Sequence, residues 1–160
     1  MPSAPPRRPS ESSVEATHLV LPPDTNIHGT MFGGRVMQWM DIAAGIAAGR
    51  HRGGAVVTAA VDELQFARPI RMADVVIIKA GVNYAARTSM EVGVRVEREE
   101  TGTGVHEHCL TGYFTFVGID DQGCPTPVPG VIPVTDEEKR RYANAEERRA
   151  RRLAARARGS

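Results

Sequence analysis

Asp41 stands inside an apolar run, between Met40 and Ile42, with Trp39 and Ala43 beyond them. Val36, Met37, Trp39, Met40, Ile42, Ile46 and several alanines predict one helix over residues 35–49. It would be apolar around almost its whole circumference, the pattern of a buried helix. An ionised carboxylate is costly in such a place unless it is partnered. Burial would also raise its pKa toward the range where a general base works near neutrality. A bland alternative stays open: Gly34, Gln38, Asp41 and Gly45 recur at 4-3-4 spacing and form a narrow polar or small stripe, on which an Asp could simply face water.

Two features before the helix could cooperate with that acid. Asn26 lies in a glycine-containing loop, where an amide can orient a water or donate to a carbonyl oxygen; Asn is equally a common turn former. Phe32-Gly33-Gly34 leads into the helix. Unpaired N–H groups there, with no side chain in the way, could hold an oxyanion or cradle a phosphate, or form an ordinary loop-to-helix junction. The histidines carry less. His28 fits a solvated loop position, and His106 and His108 share one strand face without further metal ligands. No G-x-S-x-G occurs, so a serine hydrolase is poorly supported.

The elements that position these residues follow from period and punctuation. A short strand is expected over residues 17–21, ended by Pro22-Pro23. After the helix the period falls to two: residues 57–62, 75–80, 89–97 and 105–119 read as strands joined by short turns, an antiparallel meander. Thr135 followed by Glu138 marks a capping box for a last helix. One buried helix followed by such a sheet is an α+β layout in which the sheet wraps the helix, with apolar edges left over for dimerisation. With 160 residues there is room for one such domain. Its expected parts are a flexible Pro/Ser-rich tail (residues 1–15), the domain itself (16–134) and a basic C-terminal helix or tail (135–160).

Charge and cysteine content narrow the setting. The net charge of +1 points away from a nucleic acid partner for the chain as a whole, although six arginines and no acid fall between Arg148 and Arg158. Cys109 and Cys124 match neither a zinc spacing nor a disulfide framework and suit a reducing cytoplasm. No secretory signal is expected, and residues 36–48 are too short to span a bilayer.

The stretch LPPDTNIHGTMFGGRVMQWMDIAAGIAA, residues 21–48, resembles the opening of the bacterial YciA-like and brain-type acyl-CoA hydrolases. Asn26, Gly29, Phe32, Gly33, Gly34 and Asp41 stand in register with the family's N-x-x-G-x-x-F-G-G and helix acid. The likeness continues through DELQFARPIRMAD, RTSMEVGVRVERE and TGYFTFVGID. It implies a hotdog fold, a long central helix wrapped by an antiparallel sheet, with a C-terminal helix. It also implies an acyl-CoA thioesterase that needs no metal or redox cofactor and assembles as a double-hotdog dimer, often a trimer of dimers (a homohexamer).

By the same resemblance Asp41 activates water, or attacks the thioester itself, while Asn26 positions water or carbonyl across the dimer interface. Gly33 and Gly34 amides form an oxyanion hole. Arg87, Thr88 and Ser89, with Gly29 and Phe32, meet the CoA part of the substrate. Met37, Met40, Met90 and Phe66 are candidates for the acyl pocket. Two rival readings remain. A hotdog hydratase would use D-x-N-P-x-H, but residues 24–28 lack the proline and place the His one position early. A non-catalytic acyl-CoA-binding regulator would lack the helix acid and carry a DNA-binding element.

Overall fold

A computed structural model of the protein describes residues 4–159. The elements are β1 (Val14–Leu19), α1 (Gly33–Arg52), β2 (Val56–Phe66), β3 (Val75–Ala85), β4 (Ser89–Glu99), β5 (His106–Gly118) and α2 (Asp136–Gly159), with two short 3-10 turns before α1. All strand pairs are antiparallel, in the order β1-β3-β4-β5-β2. Met90, Val92, Val94 and Val96 of β4 point to one face and are buried, as strict alternation requires. α1 lies across that face. Its Met40, Ala43, Ala44, Ala47 and Ala48 pack on Val76, Ile78, Phe114 and Phe116 of the sheet. Small residues keep the helix close: a Cβ on Gly112 of β5 would stand 3.1 Å from Met40 Cε. Gly53, at φ +76°, supplies the left-handed residue that stops α1.

Three expectations need correcting. First, α1 is not enclosed all round within one protomer: Ile42 is 55% exposed, and Ile46 and Met37 are exposed beside it. Ile42 and Ile46, one turn apart, share an exposed stripe, and Val57 and Val61 of the edge strand β2 are exposed too. Second, the segment expected to be a tail is tied down from Arg7 onward. Arg7 pairs with Gly130 and Ile132 through backbone hydrogen bonds of 2.9 Å, and Ser12 is buried. Composition weighs apolar burial and misses this backbone pairing; β1 accordingly starts at Val14 rather than residue 17. Residues 1–3 lie outside the described residues.

Third, the basic C-terminus is not a free arm. α2 begins with the expected box, Thr135 Oγ1 accepting from the Glu138 N–H at 3.1 Å and Glu138 Oε2 from the Thr135 N–H at 3.0 Å. The Val134 and Thr135 N–H groups, both donating to Oε2, hold the Glu138 carboxyl below its usual pKa. The helix then packs on the sheet face opposite α1. Buried Arg148 makes two hydrogen bonds to buried Glu91, at 3.0 and 2.7 Å, and its guanidinium lies 3.6 Å over the Tyr113 ring. Arg152 reaches Asp62 at 2.9 Å. Among the described residues no helix is long and apolar enough to cross a membrane.

Candidate active site

Asp41 sits two turns into α1, on its open side. It is half-buried rather than deep in the core, because the 4-3-4 stripe faces the β2 edge. Thr58 of β2 donates its hydroxyl to Asp41 Oδ1 at 2.7 Å. The register between β2 and β5 slips between Thr58 and Ala60, so Ala59 is an extra residue in the ladder. A bulge of this kind re-aims the neighbouring side chain. Sequence reasoning missed Thr58. In VVTAAVD it is one more β-branched residue of a strand, and nothing local says that it meets a helix carboxylate.

The glycine pair opens α1. Phe32 occupies the N-cap position without a side-chain cap, so the first N–H groups of the helix have no capping partner. A Cβ on Gly34 would stand 2.7 Å from the exposed Phe32 ring, which would have to turn aside. Asn26 is bound into its own loop. Its Oδ1 accepts from the His28 N–H at 2.9 Å, and its Nδ2 donates to Thr30 Oγ1 at 2.8 Å. Gly29 closes that loop at φ +77°, a conformation few other residues tolerate.

The predicted residues form three groups rather than one. Gly33 and Asp41 are eight residues apart on one helix, about 12 Å along its axis. Asn26, Gly33 and Gly34 therefore lie at one end of α1, and the Asp41–Thr58 pair lies farther along. Arg87-Thr88-Ser89 belongs to a third place, the β3–β4 turn beside the far end of the helix. Val128 donates to the Arg87 carbonyl at 2.9 Å and Gly118 to that of Thr88 at 3.0 Å. The strap containing Val128 is in turn held by α1: His51 Nε2 bonds the Pro129 carbonyl at 2.8 Å, and Arg52 bonds Thr126 Oγ1 at 3.0 Å. Burial pushes the His51 pKa below its usual value, so the ring is neutral and Nε2 carries the donated proton.

A pocket of about 440 Å³ opens beside the glycine end, between Gly33 and Val36 of α1 and Phe66, Ile70 and Leu110. Of the residues expected to line an acyl pocket only Phe66 is there. Met40 and Met90 are fully buried in the core, and Met37 lies on the open helix face. His106 pairs with Glu97 and His108 with Thr111. Among the described residues no cluster of three or more potential metal ligands occurs.

Known proteins resemble this chain in sequence and fold. The thioesterase superfamily matches residues 28–105. An uncharacterized acyl-CoA thioester hydrolase of Bacillus subtilis, YkhA, is 44% identical over 128 residues, covering 80% of this chain and 74% of that protein. The cytosolic acyl coenzyme A thioester hydrolase of Rattus norvegicus is 36% identical over 135 residues, 83% of this chain; the chain spans only 35% of the rat protein. Among solved structures, an acyl-CoA hydrolase from Staphylococcus aureus in complex with butyryl coenzyme A and coenzyme A superposes with a TM-score of 0.90 at 41% identity, covering 96% of this chain and 94% of that one. The acyl-CoA hydrolase of Bacillus cereus gives 0.92 at 38% identity, over 96% and 94%. The chain belongs to the hotdog-fold acyl-CoA thioester hydrolases of the thioesterase superfamily.

Proposed function

We propose that this protein hydrolyses acyl-CoA thioesters to the free acid and CoA, with Asp41 as general base. The observation that carries the reading is the 2.7 Å bond from Thr58 to Asp41, which fixes a carboxylate on the open, apolar side of α1. Two copies related by a two-fold axis across the β2 edge would cover Ile42, Ile46, Val57 and Val61. Antiparallel pairing there sets the glycine end of one α1 near the middle of the other. Asn26, Gly33 and Gly34 of one protomer then complete the site around Asp41 of its partner, with Arg87, Thr88 and Ser89 receiving the CoA phosphates and Gly29 and Phe32 shaping the loop. Asp41 takes a proton from water as the oxygen attacks the thioester carbon. The free helix N–H groups hold the oxyanion. Collapse breaks the C–S bond, and the proton on Asp41 passes to the departing thiolate, restoring the carboxylate.

Relatives support this assignment. The Staphylococcus aureus hydrolase has been solved with an Asp, an Asn or a Thr replaced by alanine, at the same intervals along its chain as Asn26, Asp41 and Thr58. Hexameric thioesterases among the structural neighbours favour a trimer of such dimers, and a cytoplasmic setting suits two free cysteines. The test is thiol release from acyl-CoAs by the wild type, Asp41→Asn and Asn26→Ala. Each variant should lose at least about two orders of magnitude while staying folded. Co-expressing the two should restore activity to about a quarter of wild type. Half the dimers are then mixed, and each mixed dimer keeps one intact site. Inactive mixtures would place Asn26 and Asp41 in one protomer's site; a wild type that releases no thiol would end the thioesterase reading.

A further inference from the structure

The pocket at the glycine end adjoins a second hollow. Arg68 and Pro69 belong to both; the second is polar, of about 370 Å³, and its other walls include Arg98 and Glu107. Arg68 Nη1 lies 2.9 Å from Glu107 Oε1. Glu107 also accepts from Arg98, which reaches Asp74 at 3.4 Å. The lining of the pocket therefore runs from the Gly33 backbone to Arg68, a side chain that is 61% exposed and held against Glu107 by an ion pair. The Arg87 turn lies at the opposite end of a 20-residue helix, about 30 Å away, so the pocket is not where the same protomer would hold a nucleotide.

Resting on the thioesterase reading, we propose that this pocket takes the acyl chain of the substrate and that Arg68, braced by Glu107, closes its end and sets the upper chain length. A chain that stops short of the guanidinium meets the exposed Phe66, Ala67 and Pro69, above the buried Ile70. Each further methylene must displace water from paired charges and gains no apolar contact in return. The substrate class is then an unbranched, uncharged acyl group, with a break in preference at the length that reaches Arg68. Ala67 is an exposed residue on the same wall, and enlarging it narrows the channel without touching the core.

The experiment compares wild type, Arg68→Ala, Arg68→Lys and Ala67→Leu over straight-chain acyl-CoAs from acetyl to palmitoyl. It reads kcat/KM, and in parallel the Kd of S-alkyl-CoA thioethers of the same lengths, which cannot be hydrolysed. One methylene in an apolar pocket discriminates by about tenfold or more. Arg68→Ala should move the break to chains at least two carbons longer, raising the ratio of longer to shorter substrates by about tenfold. Ala67→Leu should move it the other way, and Arg68→Lys should keep it in place. A break that stays put in both Arg68→Ala and Ala67→Leu, each folded as judged by Tm, overturns the proposal. Thioether binding separates the two failures: binding without thiol release defeats the thioesterase reading alone, while an affinity that ignores chain length defeats the pocket assignment.

Discussion

Replacing Thr58 by valine keeps the β-branched shape of the side chain on β2 and removes the hydroxyl that donates to Asp41 at 2.7 Å. The size of the effect depends on what covers the pair. In one protomer Thr58 is exposed. Left so, its hydrogen bond competes with water and is worth about 0.5–1 kcal/mol. That amounts to about a two- to fivefold loss in kcat. Covered by a partner across the β2 edge, a bond to a carboxylate is worth about 1.5–3 kcal/mol. The loss then becomes about 10- to 150-fold. The expected result is the larger one, with KM little changed, because the hydroxyl aims the base and touches no part of the substrate. Thr58→Ser should recover most of the rate. Thiol release from butyryl-CoA under saturating conditions measures this. A valine variant within twofold of wild type, or a serine variant as impaired as the valine, would refute the orienting role; an intermediate two- to fivefold loss would say that the pair stays wet and the β2 edge uncovered.

Two further predictions concern stability. Arg148→Met leaves the Glu91 carboxylate buried, with Arg152 at 3.7 Å as its remaining ion-pair partner, and should destabilise the protein by about 3–5 kcal/mol. Adding Glu91→Leu should recover most of that loss, in urea denaturation at fixed protomer concentration. His51 has its pKa lowered in the folded state, so the unfolded chain binds the extra proton first as pH falls. Its contribution to stability is therefore present above about 6.5 and declines below it, and His51→Gln should flatten that part of the stability–pH profile.

The helix and strands were legible because their periods differ. Met90 to Val96 alternates without a break, and the apolar run around Asp41 repeats at helical spacing. The capping box at Thr135 was equally local. Legibility ended where a residue's partner comes from elsewhere in the chain. Arg148 reads as one of six basic residues in a polar tail, yet its partner, Glu91, is 57 residues away on the outer face of the sheet. Thr58 is invisible for the same reason. The apolar circumference of α1 suggested full burial, but a pattern says only that a face wants cover and not which chain provides it. Ile42 and Ile46 show the difference.

That difference links assembly to chemistry. The open face of α1 carries both the apolar residues that need a partner and the carboxylate proposed as the base. The amides and the Asn26 loop that would complete the site stand about 12 Å away along the same helix. On the proposed reading a single protomer holds two incomplete halves, and closing the β2 edge would serve two ends at once. In the proposed dimer it would remove Ile42, Ile46, Val57 and Val61 from water, and it would dry the Thr58–Asp41 bond so that its orientation counts. A substitution such as Ile46→Glu, placed on the open face and away from Asp41 by more than a turn, should then abolish activity by preventing association while leaving the protomer core unstrained. Sedimentation would show the smaller species, and raising the protein concentration should restore thiol release in proportion to the dimer formed. Activity that survives dissociation would mean that one protomer brings its own amides to its own aspartate, which the length of α1 between them opposes.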